Sequence, residues 1–147
     1  MSVGQSTAAP QALVLDANQR SALAVTRSLG RAGYSVAVAE AFGNSVCSRS
    51  RYAHRELVYP HPARSPNEFR QWLQQLGEAY PGVVLFACSD LTLPPSQTAQ
   101  DERSNRFRFA TCWPSQAAYE TLSDKWSLYL LAQHLAIPVP LTHVLKI

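Results

Sequence analysis

Six polar side chains stand where short apolar runs end. In "ALVLDANQRSA", Asp16 closes a run that begins at Ala12, and Asn18, Arg20 and Ser21 follow closely. In "GVVLFACSD", Ser89 and Asp90 close another. Carboxylates, an amide, a guanidinium and hydroxyls gathered at run ends can hydrogen-bond a small polar ligand from several directions. The same residue types also brace turns by bonding nearby backbone. A third run, "YSVAVAE", ends in Glu40.

Lys125 is one of only two lysines in the chain. It follows Ser123 and Asp124 in "SDKWSLYLLAQH", a helix-start pattern, with Ser123 as cap and Asp124 in the first turn. A helix start is electropositive and favours acids. A lysine there is locally disfavoured, and a phosphate would relieve it. Simple exposure beside Asp124 is the other reading, and local physics leaves both open.

Other motifs resolve against chemistry. Strand, turn, helix and a strand ending in Glu40 form the outline of a dinucleotide site, but the turn "DANQRSA" has no glycine. The fingerprint needs three for close approach to a pyrophosphate. Gly30 and Gly33 lie at the far end of the helix and read as termination signals. No Walker loop is present. In "SRSRYAHR", Arg49, Arg51, His54 and Arg55 would suit a phosphate, but a short solvated turn or helix between the second and third strands is the favoured reading. "CSD" has no histidine near it in sequence to activate a nucleophile. His54, His61, His134 and His143 are scattered without metal-ligand spacing. Cys47, Cys88 and Cys112 are too far apart for a zinc ribbon or disulfide framework. Cys88 and Cys112, in apolar or aromatic company, read as buried thiols.

The elements that must position these residues alternate. Strands are expected at Ala12 to Asp16, Tyr34 to Glu40, "RELVYP" and "GVVLFACSD", with a short fifth at "FRFATCW". Helices are expected over "RSALAVTRSLGRAG" and "SPNEFRQWLQQLGEAYPG". In the second, Ser65, Pro66 and Glu68 spell a capping box, and Phe69, Trp72, Leu73 and Leu76 share a face. Pro94-Pro95 predicts an interrupted segment over residues 91 to 106. A short helical piece starts at Pro114-Ser115. In the last helix Trp126, Leu130 and Leu131 mark the side to be buried, and Ile137-Pro138 lies past its end. Alternation of this kind predicts an α/β fold, a Rossmann-like parallel sheet of four to five strands with helices on both faces. Ligands of such sheets gather beyond the carboxyl ends of the strands, where all six polar residues fall.

Bulk properties bound the rest. At 147 residues the chain can bury a sizeable core, and 46% hydrophobic with 16% charged residues fits a globular protein. A net charge of +3 does not call for nucleic acid, despite eleven arginines. Residues 1 to 10 are small and polar, a disordered tail without a secretory pattern. No run reaches the ~20 apolar residues needed to span a membrane. The expected location is cytoplasmic.

Four stretches occur in an order that resembles a known family: "DANQRSALAVTRSLGRAGYSVAVAE", "SRSRY", "VLFACSD" and "LSDKWSLYLLAQHLAIPVPLT". Together they resemble the N-terminal region of ATP-grasp enzymes, nearest the carbamoyl-phosphate-synthase-like carboxylate–amine ligases. The similarity spans residues 11 to 145, and the Asp124-Lys125 … Ala132 … Ile137-Pro138-Val139-Pro140 segment is its most specific part. The resemblance implies a pre-ATP-grasp domain over 11–122, with 123–147 as the first helix and linker of an ATP-grasp domain. It implies an enzyme in which ATP, with magnesium, phosphorylates a small carboxylate and an amine attacks the acyl phosphate. Asp16, Asn18, Arg20, Ser21, Ser89 and Asp90 would contact substrate. Lys125 would reach the nucleotide phosphates. The acidic magnesium ligands, a second phosphate lysine and the glycine-rich flap would lie after Ile147, so this chain is expected to be a fragment, inactive alone. Its partners would be the C-terminal lobes, in the same or a separate chain. A stand-alone Rossmann-like binding module and an interaction subunit, with self-association into a homodimer, are the rival expectations.

Overall fold

A computed structural model describes residues 9–101 and 108–143. The chain divides into two compact units, Met1–Trp113 and Pro114–Ile147. In the first, β1 (Ala12–Val14) leads to α1 (Arg20–Arg31), β2 (Val36–Glu40), a 3-10 turn (Cys47–Arg49), β3 (Ala53–Val58), α2 (Pro66–Ala79), β4 (Val84–Phe86), α3 (Leu93–Asp101) and β5 (Ala110–Thr111). The second holds α4 (Gln116–Ser123) and α5 (Lys125–His134). Of the expected fifth strand, Phe107 lies outside the described residues, as do 102–106 of the segment before it.

All pairings are parallel, in the order β3-β2-β1-β4-β5. The fold is the expected α/β, Rossmann-like sheet. Side chains alternate across a strand, so each central strand feeds two cores. Leu13, Leu15, Ala37, Ala39 and Leu85 pack with Phe69 and Leu73 of α2 and Ala99 of α3. Val14, Val36 and Val38 pack with Ala22 of α1, and with Leu23, Val25 and Leu29 at its margin. Helices therefore cover both faces. Complete burial of a Leu or Phe is worth roughly 1.5–3 kcal/mol, so Phe69 and Leu73 anchor α2.

Several helix ends differ from expectation. Pro94 and Pro95 do not interrupt α3; they fall in its first turn, where missing N–H groups cost nothing. Ser65 is the N-cap of α2 and Pro66 its first residue, but the Ser65 side chain makes no capping bond. The cap of α5 is Asp124, whose carboxylate accepts from Ser127 N–H at 2.6 Å, while Ser123 ends α4. Gly33, at φ 89°, does close α1, and Tyr34 N–H bonds Leu29 C=O across it. Gly30 serves a different purpose: a Cβ there would overlap the Tyr52 side chain. Trp126 and Leu130, expected to be buried, are 45% and 46% exposed. Among the described residues no helix is long and apolar enough to cross a membrane.

Candidate functional site

In the order β3-β2-β1-β4-β5 the chain adds strands on one side of β1 and then on the other, so β1 and β4 flank a topological switch point, the place where open parallel sheets hold ligands beyond the carboxyl ends. Asp16 lies two residues past β1, with φ 56° and only 4% exposure. Asp tolerates this left-handed backbone better than most residues. Its Oδ2 accepts from Cys88 N–H at 2.9 Å and from the Thr92 hydroxyl at 2.6 Å. Ser21 Oγ donates to Cys88 C=O at 3.3 Å. One side chain from β1 and one from α1 thus tie down the end of β4 and the start of α3.

The neighbouring loop is held by Glu40. Its carboxylate accepts from Asn18 N–H at 3.0 Å and from Ala41 N–H at 2.8 Å. The Asn18 side-chain oxygen accepts from Val46 N–H at 3.0 Å. The acid that a dinucleotide site would offer to a ribose is spent on the β1–α1 turn. A carboxylate of the protein itself thus occupies an amide just ahead of α1, where a phosphate would be held. Glu56 does the same for the next loop, accepting from Asn44 and Ser45 N–H. Burial opposes its ionisation, yet the hydrogen bonds from Ser45, Asn44 and Ser48 outweigh that and lower its pKa.

The six strand-end residues do not share one role. Asp16 is buried in the network. Asn18 and Ser21 are exposed but bonded to the frame. Ser89 is half-buried, and its Oγ accepts from Leu91 N–H at 3.2 Å. Arg20, the first residue of α1, and Asp90 are exposed. Two members were missed. Thr92, fully buried, carries no motif. Tyr59, 2% exposed, precedes Pro60 and looks like a strand terminus. Its Oη is sealed from solvent and lies against Asp16. Burial, then the Asp16 and Glu40 carboxylates, push its pKa up, so the hydroxyl stays neutral.

Lys125 opens α5 and is exposed, directly after the capping Asp124. The Ser127 backbone N–H holds the Asp124 carboxyl below its ordinary range. The turn before β3 and the strand itself use these side chains internally: Arg51 lies over the Tyr52 ring and bonds its hydroxyl, and in β3 Arg55 bonds the Tyr80 hydroxyl and His54 Nδ1 accepts from Val36 N–H. Burial and then Asp16 push the Cys88 thiol up to about 12, which disfavours the thiolate. Cys47 is buried, whereas Cys112, expected to be, is exposed. Among the described residues no three His, Cys, Asp or Glu side chains gather as a metal site. A groove of about 630 Å3, bordered by Gln11, Leu29, Tyr34, Gly82, Val84 and Phe86, lies at the opposite, amino-terminal end of β1 and β4. It is mostly apolar and offers no acid–base chemistry.

Compared with known proteins, the chain matches no family model, no curated protein and no solved structure.

Proposed function

We propose that this chain supplies the substrate-binding N-terminal domain of an ATP-dependent carboxylate–amine ligase of the ATP-grasp kind, acting through an acyl phosphate. The observation that carries the reading is the polar network at the switch point between β1 and β4. There Asp16, Cys88, Thr92 and Ser21 form a rigid floor, and Asn18, Arg20, Ser89 and Asp90 stand around its rim. A preorganised floor with a polar rim is what orients small polar substrates. In the second unit, Lys125 is the group for nucleotide phosphates, free to reach an anion because Asp124 is spent on Ser127. The described residues offer magnesium no cluster, so no part of this chain is assigned to the metal. Nor is any proton transfer or bond-breaking step: the chain binds and orients.

Backbone-amide NMR of the whole chain tests this. Titration with ATP is expected to shift Trp126 and Ser127, and Lys125→Ala is expected to weaken that response about tenfold, as for loss of one charged contact. Unmoved α5 resonances at millimolar ATP would overturn the nucleotide part. A second reading, a stand-alone binding module, is favoured by one fact. Every fully buried apolar residue among those described lies in the first unit. Micromolar binding of a small ligand by residues 1–113 alone would support it over the ligase.

A further inference from the structure

The net charge of +3 hides how unevenly charge is spread. Residues 17–55 hold six arginines against a single acid, Glu40, whereas the other residues hold seven basic and nine acidic groups. The fold gathers most of that excess on one surface. α1 contains no acid, and its spacing of about 100° per residue puts Arg20, Arg27 and Arg31 within about 40° of one another around the axis, all three exposed. Arg27 and Arg31 lie one turn apart. Arg31 Nε donates to Arg27 C=O at 3.2 Å, which leaves its terminal nitrogens without a partner. The 3-10 turn and the residues after it pack against the same helix. Tyr52 lies on Gly30, Arg51 sits over the Tyr52 ring, and Arg27 is close enough for its charge to act on the Cys47 thiol. Arg49 and Arg51 are exposed beside them. Glu40 and Glu56, the acids of β2 and β3, are turned to the amides of Asn18, Ala41, Asn44 and Ser45. None of Arg27, Arg31, Arg49 and Arg51 forms an ion pair with a described residue. Clustered charge of one sign, left unneutralised, draws a partner of the other sign.

We infer that the exposed face of α1, with Arg49 and Arg51 beside it, binds the phosphate backbone of double-stranded nucleic acid without regard to sequence. Guanidinium forks match phosphate oxygens, and the exposed Ser28 adds a hydroxyl next to Arg27. An acidic protein fits less well. Protein interfaces have an apolar core, and none of the chain's exposed large apolar residues lies on α1. A single strand would be held by stacking its bases on open rings, whereas the Tyr52 ring is already taken up by Arg51 and Gly30. What the surface offers is contact to phosphates, which positions a duplex and carries no sequence information. The inference goes beyond the ligase reading and does not rest on it. Arg20, which also stands at the strand-end rim, is left unchanged in the test so that the two proposals stay separate.

The test is fluorescence anisotropy of a labelled mixed-sequence DNA duplex titrated with the full chain over a range of salt concentrations. Four phosphate contacts give a slope of log affinity against log salt of about −3.6, a loss of roughly 150-fold between about 50 and 200 mM. Changing Arg27→Gln and Arg31→Gln together should make that slope shallower by about two and weaken binding at least tenfold at the lower salt, with the thermal midpoint followed in parallel. Arg49→Gln, on the turn, should remove about one unit of slope and keeps the inference open to refutation if the helix variant fails to fold. Arg70→Gln removes the same kind of charge from α2, on the other face of the sheet, and should leave the slope unchanged. A parent slope shallower than about −2, a folded helix variant that keeps the parent slope, or an equal loss in Arg70→Gln would each overturn the inference. So would equal affinity for polyglutamate or for phosphatidylserine vesicles, or tighter binding of the single strand than of the duplex.

Discussion

At the scale of single residues, the strand-end chemistry turns on how carboxylates are satisfied. Asp16→Ala strands the Cys88 N–H and the Thr92 hydroxyl in a buried place and puts a β-carbon residue without a polar side chain at φ 56°. A buried donor left unpaired costs about 1–3 kcal/mol, so a loss of at least about 2 kcal/mol in urea unfolding is expected. A midpoint within error of the parent would mean that the network does not brace β4. Glu56 gives a pH signature. Its folded pKa lies below the ordinary 4.5, so its contribution is present above that value and is lost as pH falls through the folded pKa. Glu56→Gln should therefore flatten the acid limb of a stability profile below about pH 4.5, and a parallel profile would exclude the assignment. The residue types at the rim were legible from the sequence, because acids and hydroxyls closed apolar runs. Their bonding was not: Asp16 finds its donors at Cys88 and Thr92, more than seventy positions away, and no local pattern records that pairing.

At the scale of elements, strand–helix alternation was legible because buried parallel strands read as unbroken apolar runs bounded by turn residues. End chemistry was harder to read, since a cap depends on one torsion. Ser65 has a capping residue's identity, but with φ −136° and ψ 65° its side chain makes no capping bond, whereas Asp124 caps α5 one residue after the expected Ser123. Pro94-Pro95 reads as a breaker or as a helix start depending on register, and Thr92 bonding to Asp16 fixes which. Gly30 is the clearest misreading. It looks like part of a stop signal, but it is a docking notch that lets Tyr52 lie against α1 and sets the turn carrying Arg49 and Arg51. Gly30→Ala places a methyl into the Tyr52 side chain and should cost about 1–3 kcal/mol, as overpacking does. Combining it with Tyr52→Ala should recover part of that loss. Strict additivity of the two in a double-mutant cycle would remove the notch from the account.

At the scale of the whole molecule, the two units differ in kind. The first contains both hydrophobic clusters and every residue that is fully shielded among those described. The second has two helices with no buried residue, although α5 carries Trp126, Leu128, Leu130 and Leu131 around most of its circumference. Leu122, Trp126, Leu128 and Leu130 each expose two-fifths or more of their surface, an exposed apolar patch on the two helices. Sequence periodicity marked Trp126, Leu130 and Leu131 as a side to be buried, but Trp126 and Leu130 are largely exposed, because periodicity identifies an apolar face and not what covers it. The folding energy should therefore reside almost wholly in the first unit. A chain ending at Trp113, which retains that residue's packing against the sheet core, is expected to unfold within about 0.5 kcal/mol of the full chain, the range of changes that remove no buried contact. It should also bind markedly less of a fluorescent apolar-surface dye, because the exposed apolar residues of α4 and α5 leave with the second unit. If the shortened chain instead lost more than about 2 kcal/mol, well beyond surface effects, the sheet would depend on the second unit and the first unit's core would not be self-sufficient.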